Sequence, residues 1–126
     1  MAVSGRLKLS GLNRTVREYA DWCLAIADYY GIPVTVTSGF RSWADQERLY
    51  RNYVQCVETG QYGRTPDCRF PANRPGDSAH NFGLAWDSSV PAGWQEAWNY
   101  VRRYAGFEVL ENDLVHAQVP NWRQYV

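Results

Sequence analysis

Apolar residues recur at helical spacing in three stretches of the 126-residue chain. The first stretch opens with Thr15 and Glu18, which have the spacing of a capping box, and Gly31 can end it. Its predicted inward face consists of Val16, Tyr19, Ala20, Cys23, Ala27 and Tyr30. Within that stripe Cys23 is expected to be a buried small hydrophobic residue.

Two further helices are predicted by the same signals. Ser42 and Asp45 form a second capping box, and the helix that they open is predicted to end at Gly60. Its inward face is predicted to hold Gln46, Leu49, Tyr50, Tyr53, Val54 and Val57. The third helix opens at Pro91 and ends near Gly106. Its apolar stripe, predicted to lie in the core, consists of Trp94, Ala97, Trp98, Val101 and Tyr104.

Short β-branched or alternating stretches predict four strands, at residues 34–37, 84–87, 107–110 and 115–119. In the last of these, apolar residues alternate with His116 and Gln118, which therefore share a polar face. Residues 60–77 are rich in Gly, Pro, Asn, Asp and Arg without periodicity, which predicts a long loop. Because this loop runs directly into Ser78, we expect it to form one wall of a cleft.

The composition excludes several classes of protein. The chain has 13 basic and 13 acidic residues, so no broad charged surface exists for nucleic acid or an anionic membrane. Residues 1–9 lack an apolar signal segment, and no stretch approaches the ~20 apolar residues of a membrane span. We therefore expect a single domain, 1–126, made in the cytoplasm without a signal peptide and without membrane insertion. Six Trp and nine Tyr either line a groove for peptide or sugar or fill the core.

Three cysteines cannot all pair with one another. A bridge between Cys56 and Cys68 would contribute about 3 kcal/mol if the geometry permits it. The same two thiols are rival zinc ligands, although without a Cys-x-x-Cys pair they make a poor structural site. The sequence leaves this choice open.

One of the two histidines, His80, precedes the carboxylate of Asp87 by seven residues. Imidazole nitrogen and carboxylate oxygen are ligands that Zn²⁺ takes, and a three-ligand set leaves one position open for catalysis. Gly83 allows a tight turn between them, after which a short strand returns Asp87 toward that turn. The alternative is a surface turn and a half-buried strand whose Asp caps the next helix.

A third ligand would have to come from elsewhere in the chain, and the other histidine, His116, lies on the polar face of the last predicted strand. Asp113 precedes it by three residues and is a candidate general base, with Glu111 as a competitor. Arg41 lies just before a helix N-terminus, where a cation does not favour the helix dipole. It is either a surface residue paired with a carboxylate of that helix or a guanidinium aimed at an anionic or oxyanion group of a substrate.

Three motifs together resemble a known family. Ser78-x-His80-x-x-Gly83-x-Ala85-x-Asp87 is preceded by Ser38-Gly39-Phe40-Arg41-Ser42 with Gln46, and followed by Asp113-x-x-His116. These motifs, which span residues 34–119, resemble the zinc D-alanyl-D-alanine carboxypeptidase family. That family includes vancomycin-resistance D,D-peptidases and the L-alanyl-D-glutamate endopeptidases of phage and bacterial cell-wall lysis. The resemblance implies the small α+β fold shared with the hedgehog signalling domain, an antiparallel sheet with flanking helices.

The same resemblance implies a role for each motif residue. The implied Zn²⁺ ligands are His80, Asp87 and His116. Asp113 would be the general base, and Arg41 would stabilise the tetrahedral oxyanion. Gln46 and Ser78 match positions near the substrate, although both could equally be structural caps.

The implied partner is the peptidoglycan stem peptide, hydrolysed by a monomer that acts on the wall after release or as part of a phage particle. The form Ser-x-His-Asn-Phe-Gly-Leu-Ala favours an endolysin-like enzyme that cuts between L-alanine and D-glutamate. The alternatives are a D-alanyl-D-alanine carboxypeptidase and a zinc-stabilised, non-catalytic hedgehog-like binding module. A serine hydrolase using Ser78 or Ser38 lacks the Gly-x-Ser-x-Gly elbow and is ranked below these.

Overall fold

The computed structural model describes residues 2–126 and confirms the predicted α+β class. Its helices are α1 (Arg14–Tyr30), α2 (Trp43–Glu58) and α3 (Gln95–Tyr104). Its strands are β1 (Thr35–Ser38), β2 (Ala85–Ser89), β3 (Glu108–Leu110) and β4 (Asp113–Gln118). Across residues 2–126, none of the helices combines the length and the apolarity needed to cross a bilayer.

The four strands form one antiparallel sheet in the order β1-β2-β4-β3, so β2 and β4 are central. Asp87 of β2 is paired with His116 of β4 and, on its other side, with Ser38 of β1. Trp86 and Ser88 flank Asp87 and, because side chains alternate along a strand, point to the opposite face. One face of the central strands therefore carries the candidate site, and the other faces the core.

The core lies between the sheet and the helices α1 and α3. Trp86 is fully buried and meets Trp98 and Phe107 edge to face, with ring centroids 6.1 and 5.6 Å apart. The indole N–H of Trp98 donates to the hydroxyl of Ser88 at 2.8 Å. From α1, Cys23 is fully buried, and burial raises the pKa of its thiol to about 12. It is the small hydrophobic residue predicted from the apolar stripe.

Two predicted helix features are wrong in detail. The capping box does not open α1, because the side chain of Asn13 accepts hydrogen bonds from the N–H groups of Thr15 and Val16. Ser42 caps α2 as predicted, by accepting from the N–H of Asp45. The predicted inward faces of the helices also include residues that are in fact exposed. Helical spacing shows which residues share a face, but not how much of that face another element covers. The predicted inward residues that are exposed include Tyr19, Tyr30, Val57, Trp94, Ala97 and Tyr104.

Residues 60–77 form the predicted long loop, with a single short helical turn. A disulfide between Cys56 and Cys68 ties the loop to the last turn of α2. This bond answers the question of pairing and removes the two thiols as a rival zinc site. Further along, the carbonyl of Asn73 accepts a 2.7 Å hydrogen bond from the buried amide of Gln46. The loop is therefore fastened to the framework at both places.

Candidate metal centre

His80 is held in a tightly built turn. It lies in a 3-10 turn, Ala79–Phe82, in which the hydroxyl of Ser78 accepts from the N–H of His80 at 3.3 Å. Gly83 ends the turn with a φ of 70°. A Cβ at Gly83 would lie 2.6 Å from the backbone nitrogen of Asn13, so a glycine is required both for conformation and for space. The predicted tight turn is confirmed.

The ring of His80 is oriented by the backbone of the first motif. Its Nδ1 lies 2.8 Å from the carbonyl oxygen of Gly39. Because a carbonyl only accepts, Nδ1 carries the proton, and the lone pair on Nε2 faces Oδ1 of Asp87 at 3.2 Å. Gly39 is also sterically required, since a Cβ there would lie 2.1 Å from the carbonyl oxygen of Lys8.

His116 is oriented by a different set of partners. Its Nδ1 lies 3.2 Å from Oδ1 of Asp87, the residue opposite it in the sheet. Its Nε2 lies 2.8 Å from the amide oxygen of Gln118, whose amide nitrogen donates to Glu108 at 2.6 Å. An amide oxygen only accepts, so Nε2 is the natural proton-bearing atom. That leaves Nδ1 to present a lone pair beside Asp87.

The two carboxylate oxygens of Asp87 have separate partners. Oδ1 faces both imidazoles, whereas Oδ2 accepts from the hydroxyl of Ser38 at 3.1 Å. Oδ2 also lies 4.0 Å from the guanidinium of Arg41. Ser38 and Arg41 therefore hold the carboxylate through Oδ2, which leaves Oδ1 to face the two histidines.

The three facing side chains fit a metal ion. Ligand atoms of His80, Asp87 and His116 lie within 4.8 Å of one another, the one such group found within residues 2–126. Atoms that bind zinc at 2.0–2.1 Å in tetrahedral geometry are about 3.3 Å apart, close to the 3.2 Å from Oδ1 to each ring nitrogen. Two imidazole nitrogens and one carboxylate oxygen are also a donor set that suits Zn²⁺.

The carboxylate of Asp87 and the imidazole of His116 shift each other's pKa in opposite directions. Burial alone would raise the pKa of Asp87, but the hydrogen bonds that protonated imidazoles of His116 and His80 would donate to it outweigh burial and hold that pKa well below its usual range. Burial alone would lower the pKa of His116, but its hydrogen bonds to Asp87 and Gln118 outweigh that effect and raise it, with the charges of Asp87 and Asp113 adding to the rise. The centre is therefore a place where a positive charge is favoured.

Arg41 lies beside the cluster and is fixed in place. Its guanidinium donates to the side-chain oxygen of Gln46 at 3.1 Å and to the hydroxyl of Ser38 at 3.4 Å. The carboxylates in the first turns of α2 pair with other arginines of that helix. The surface pairing considered for Arg41 is therefore not observed, and Gln46 serves to hold the guanidinium rather than to cap a helix.

The remaining predicted residues lie at the margins of the cluster. Ser78 is buried, and its hydroxyl caps the turn that carries His80. Asp113 is exposed at the start of β4, close enough for its charge to act on His116. Glu111 is exposed in the turn between β3 and β4. The structure thus brings the three predicted ligand residues and Arg41 together and leaves Asp113 at the rim.

The serine-hydrolase alternative does not fit these contacts. The hydroxyl of Ser38 is bonded to Asp87, and that of Ser78 to the backbone of His80. Neither hydroxyl faces an imidazole nitrogen that could take its proton. Ser38 instead orients the carboxylate of Asp87, a role that the sequence analysis did not predict.

Known proteins resemble this chain in sequence. The family described as VanY, D-alanyl-D-alanine carboxypeptidase, matches residues 10–112. Over 82 residues the chain is 38% identical to the peptidoglycan L-alanyl-D-glutamate endopeptidase CwlK of Bacillus subtilis (strain 168). That match covers 64% of this chain and 43% of the relative, so the chain spans less than half the length of this relative.

Solved structures resemble it in fold. A vancomycin-resistance D,D-pentapeptidase VanY variant in complex with Zn(II) has a TM-score of 0.65 at 18% identity, over 86% of this chain and 72% of that one. The L-Ala D-Glu endopeptidase ChiX of Serratia marcescens has a TM-score of 0.52 at 20% identity, over 94% and 86%. At these identities the likeness shows the fold alone. With the sequence match over residues 10–112, the chain belongs to the D-alanyl-D-alanine carboxypeptidase family.

Proposed function

We propose that the protein is a zinc-dependent peptidase of the peptidoglycan stem peptide that cuts the bond between L-alanine and D-glutamate. The observation that carries the proposal is the convergence of His80, Asp87 and His116 beside a fixed Arg41. These three side chains would hold the zinc. When bound, zinc lowers the pKa of a water to about 7 and polarises the carbonyl to be attacked.

Two side chains would carry the rest of the chemistry. The carboxylate of Asp113 would accept the proton of the attacking water and return it to the nitrogen of the leaving amine. Arg41 would stabilise the negative charge that develops on the carbonyl oxygen. Its hydrogen bond to Gln46, which is itself fastened to the loop at Asn73, supports this role because a guanidinium fixed in advance need not reorganise during the reaction.

The choice of bond is supported by two further observations. The relative CwlK is an L-alanyl-D-glutamate endopeptidase by name. A carboxypeptidase must also enclose the C-terminal carboxylate of its substrate with a dedicated cation. In the loop at 60–77, Arg69 lies over the exposed ring of Phe70, and Arg74 binds Tyr50. These contacts engage two of the loop's arginines and so favour an endopeptidase, whereas the exposed Arg64 of the same loop keeps the carboxypeptidase as an alternative. The family description favours the D-alanyl-D-alanine carboxypeptidase, which is the second candidate.

The setting of this activity is part of the proposal. Residues 1–126 would act as a single zinc peptidase domain and as a monomer, since one chain supplies all three candidate ligands and Arg41. The enzyme would act on the cell wall after release, or as part of a phage particle. A zinc-stabilised binding module without catalysis would share the metal but not the turnover.

Digestion of purified peptidoglycan tests the proposal. Zinc-loaded protein should release stem peptides with a new amino-terminal D-glutamate, identified by mass spectrometry, and leave L-alanine on the glycan. Protein dialysed against a chelator is the control and should release nothing until zinc is restored. Free D-alanine with stem peptides still attached would establish the carboxypeptidase instead. Zinc binding without any release would establish the binding module.

Replacing Arg41 by alanine should lower kcat more than it raises KM, because the guanidinium stabilises charge that develops only in the transition state. A loss of about 10²–10³-fold in kcat is expected, the usual effect of removing an oxyanion donor. Steady-state kinetics on a defined stem peptide measure this. Arg48, an exposed arginine of α2, provides the matched control as Arg48→Ala. A change confined to KM would make Arg41 a clamp for a substrate carboxylate.

A further inference from the structure

Arg102 of α3 is a fully buried cation behind the sheet. Its guanidinium donates to the backbone carbonyls of Leu114 at 2.8 Å and Val115 at 3.2 Å. It also donates to the side chain of Asn99 at 2.6 Å. Burial lowers the pKa of Arg102 to about 10, so the group remains charged at neutral pH. Burying a charged group is costly unless its N–H donors are satisfied by hydrogen bonds. Here two of the acceptors are backbone carbonyls of β4.

Those two carbonyls belong to an irregular part of the sheet. Between β3 and β4, Val109 pairs with Ala117, but Leu110 pairs with Asp113. One step along β3 thus corresponds to four along β4, and the described ladders give Leu114 and Val115 no partner on either side. The bulged backbone needs another donor for its carbonyl oxygens, and the fork of the Arg102 guanidinium supplies two.

The bulge lies between two residues of the candidate site. In a regular strand Asp113 and His116, three positions apart, would face opposite sides of the sheet. A bulge removes that restriction, and bulges near active sites re-aim side chains in this way. The path of the backbone at residues 114–115 therefore decides where both side chains go.

We propose that Arg102 is a positioning residue of the site. By holding the carbonyls of Leu114 and Val115, it fixes the bulge in β4, and through the bulge it fixes the positions of Asp113 and His116. The inference rests on the proposed function for the roles of those two residues. Arg102 itself touches neither substrate nor metal.

Variants of Arg102 test the inference against a closely matched control. Arg102→Met removes all donors, whereas Arg102→Lys keeps a charge but lacks the fork. Arg103, the next residue of the same helix, donates to the carbonyl of Val109 on β3 at 3.0 Å, and β3 carries no proposed site residue. Arg103→Met is therefore the control for losing an arginine-to-carbonyl bond. Ile32→Ala, in the core between α1 and β1, is the control for lost stability alone.

Four measurements are made on each folded variant. They are the visible spectrum of the Co²⁺-substituted protein, the zinc affinity by chelator competition, kcat and KM on the stem peptide, and hydrogen exchange of residues 112–118. Both Arg102 variants should bind zinc roughly 10–100-fold more weakly, the usual effect of losing an outer partner of a metal ligand. They should also show an altered Co²⁺ spectrum, lower kcat with little change in KM, and faster exchange. The two control variants should keep the wild-type spectrum and kcat.

Arg102 variants that match Arg103→Met in spectrum, kcat and exchange would overturn the inference. If Arg102→Met does not fold, the decision passes to Arg102→Lys and to Asn99→Ala, which removes only the side chain that steadies the guanidinium. A wild-type protein that binds no metal and cleaves no stem peptide would contradict the proposed function instead. Hydrogen exchange of the metal-free variants would then still decide the role of Arg102, since unchanged protection of residues 112–118 overturns it.

Discussion

Replacing Asp113 by asparagine should lower the turnover of stem-peptide hydrolysis by roughly 10²–10⁴-fold and leave zinc content unchanged. The amide has nearly the same shape as the carboxylate but cannot accept the proton of the attacking water. Since Asp113 is exposed and lies outside the ligand cluster, the change should not disturb folding or metal binding. Kinetics together with elemental analysis of the same preparation measure both quantities.

Glu111 provides the control for this experiment, because it is an exposed carboxylate in the adjoining turn. Glu111→Gln should keep turnover close to wild type. Near-normal turnover in Asp113→Asn, combined with a large loss in Glu111→Gln, would move the base to Glu111. Loss of zinc in Asp113→Asn would make Asp113 part of the metal site and contradict the assigned role.

Removing any one of His80, Asp87 and His116 should abolish tight zinc binding and, with it, hydrolysis. Wild-type protein purified without chelator should hold about one zinc per chain. The variants His80→Ala, Asp87→Asn and His116→Ala should bind it more than about 100-fold more weakly, exceeding the loss expected for an outer partner. Chelator competition monitored by a zinc-sensitive dye measures the affinity.

Asp28 offers a matched control for the carboxylate. It is also partly buried and ion-paired, with Arg6, but lies outside the ligand cluster. Asp28→Asn should therefore keep its zinc while losing some stability to heat. Wild-type protein that contains no transition metal and takes up none on addition of zinc would contradict the metal site itself.

The sequence predicted the parts of the site that depend on local signals. Gly83 between His80 and Asp87 indicates a tight turn, and the alternation around His116 indicates a strand with one polar face. Gln118 stood two residues beyond His116 on that face, a signal that was available and unused. Motif resemblance then linked these segments, which periodicity alone could not bring together.

Arg102 carried no such signal. An arginine near a helix C-terminus is usual, since it favours the helix dipole, and its neighbour Arg103 is exposed. Only the strand pairing of β3 with β4 shows that the carbonyls of Leu114 and Val115 lack partners in the sheet and accept hydrogen bonds from Arg102. The predicted apolar stripe of α3 was right for Trp98 and Val101 but too wide, because burial depends on which element packs against a helix. Tertiary packing, rather than helix propensity, determines both the burial of Arg102 and which residues of the α3 stripe lie in the core.

Two of the proposed ligands, Asp87 and His116, lie on the central strands, and this placement determines where residues can be inserted in the chain. A single residue inserted in β2, or in the regularly paired part of β4 at residues 116–118, would turn Asp87 or His116 to the face that packs on α1 and α3, because side chains alternate with a period of two. The loop at 60–77 is under no such restriction, and lengthening a loop costs only about 0.6 kcal/mol for each doubling. Engineering of substrate range should therefore graft segments between Cys68 and Asn73, within the loop's two attachments, and leave both strands untouched.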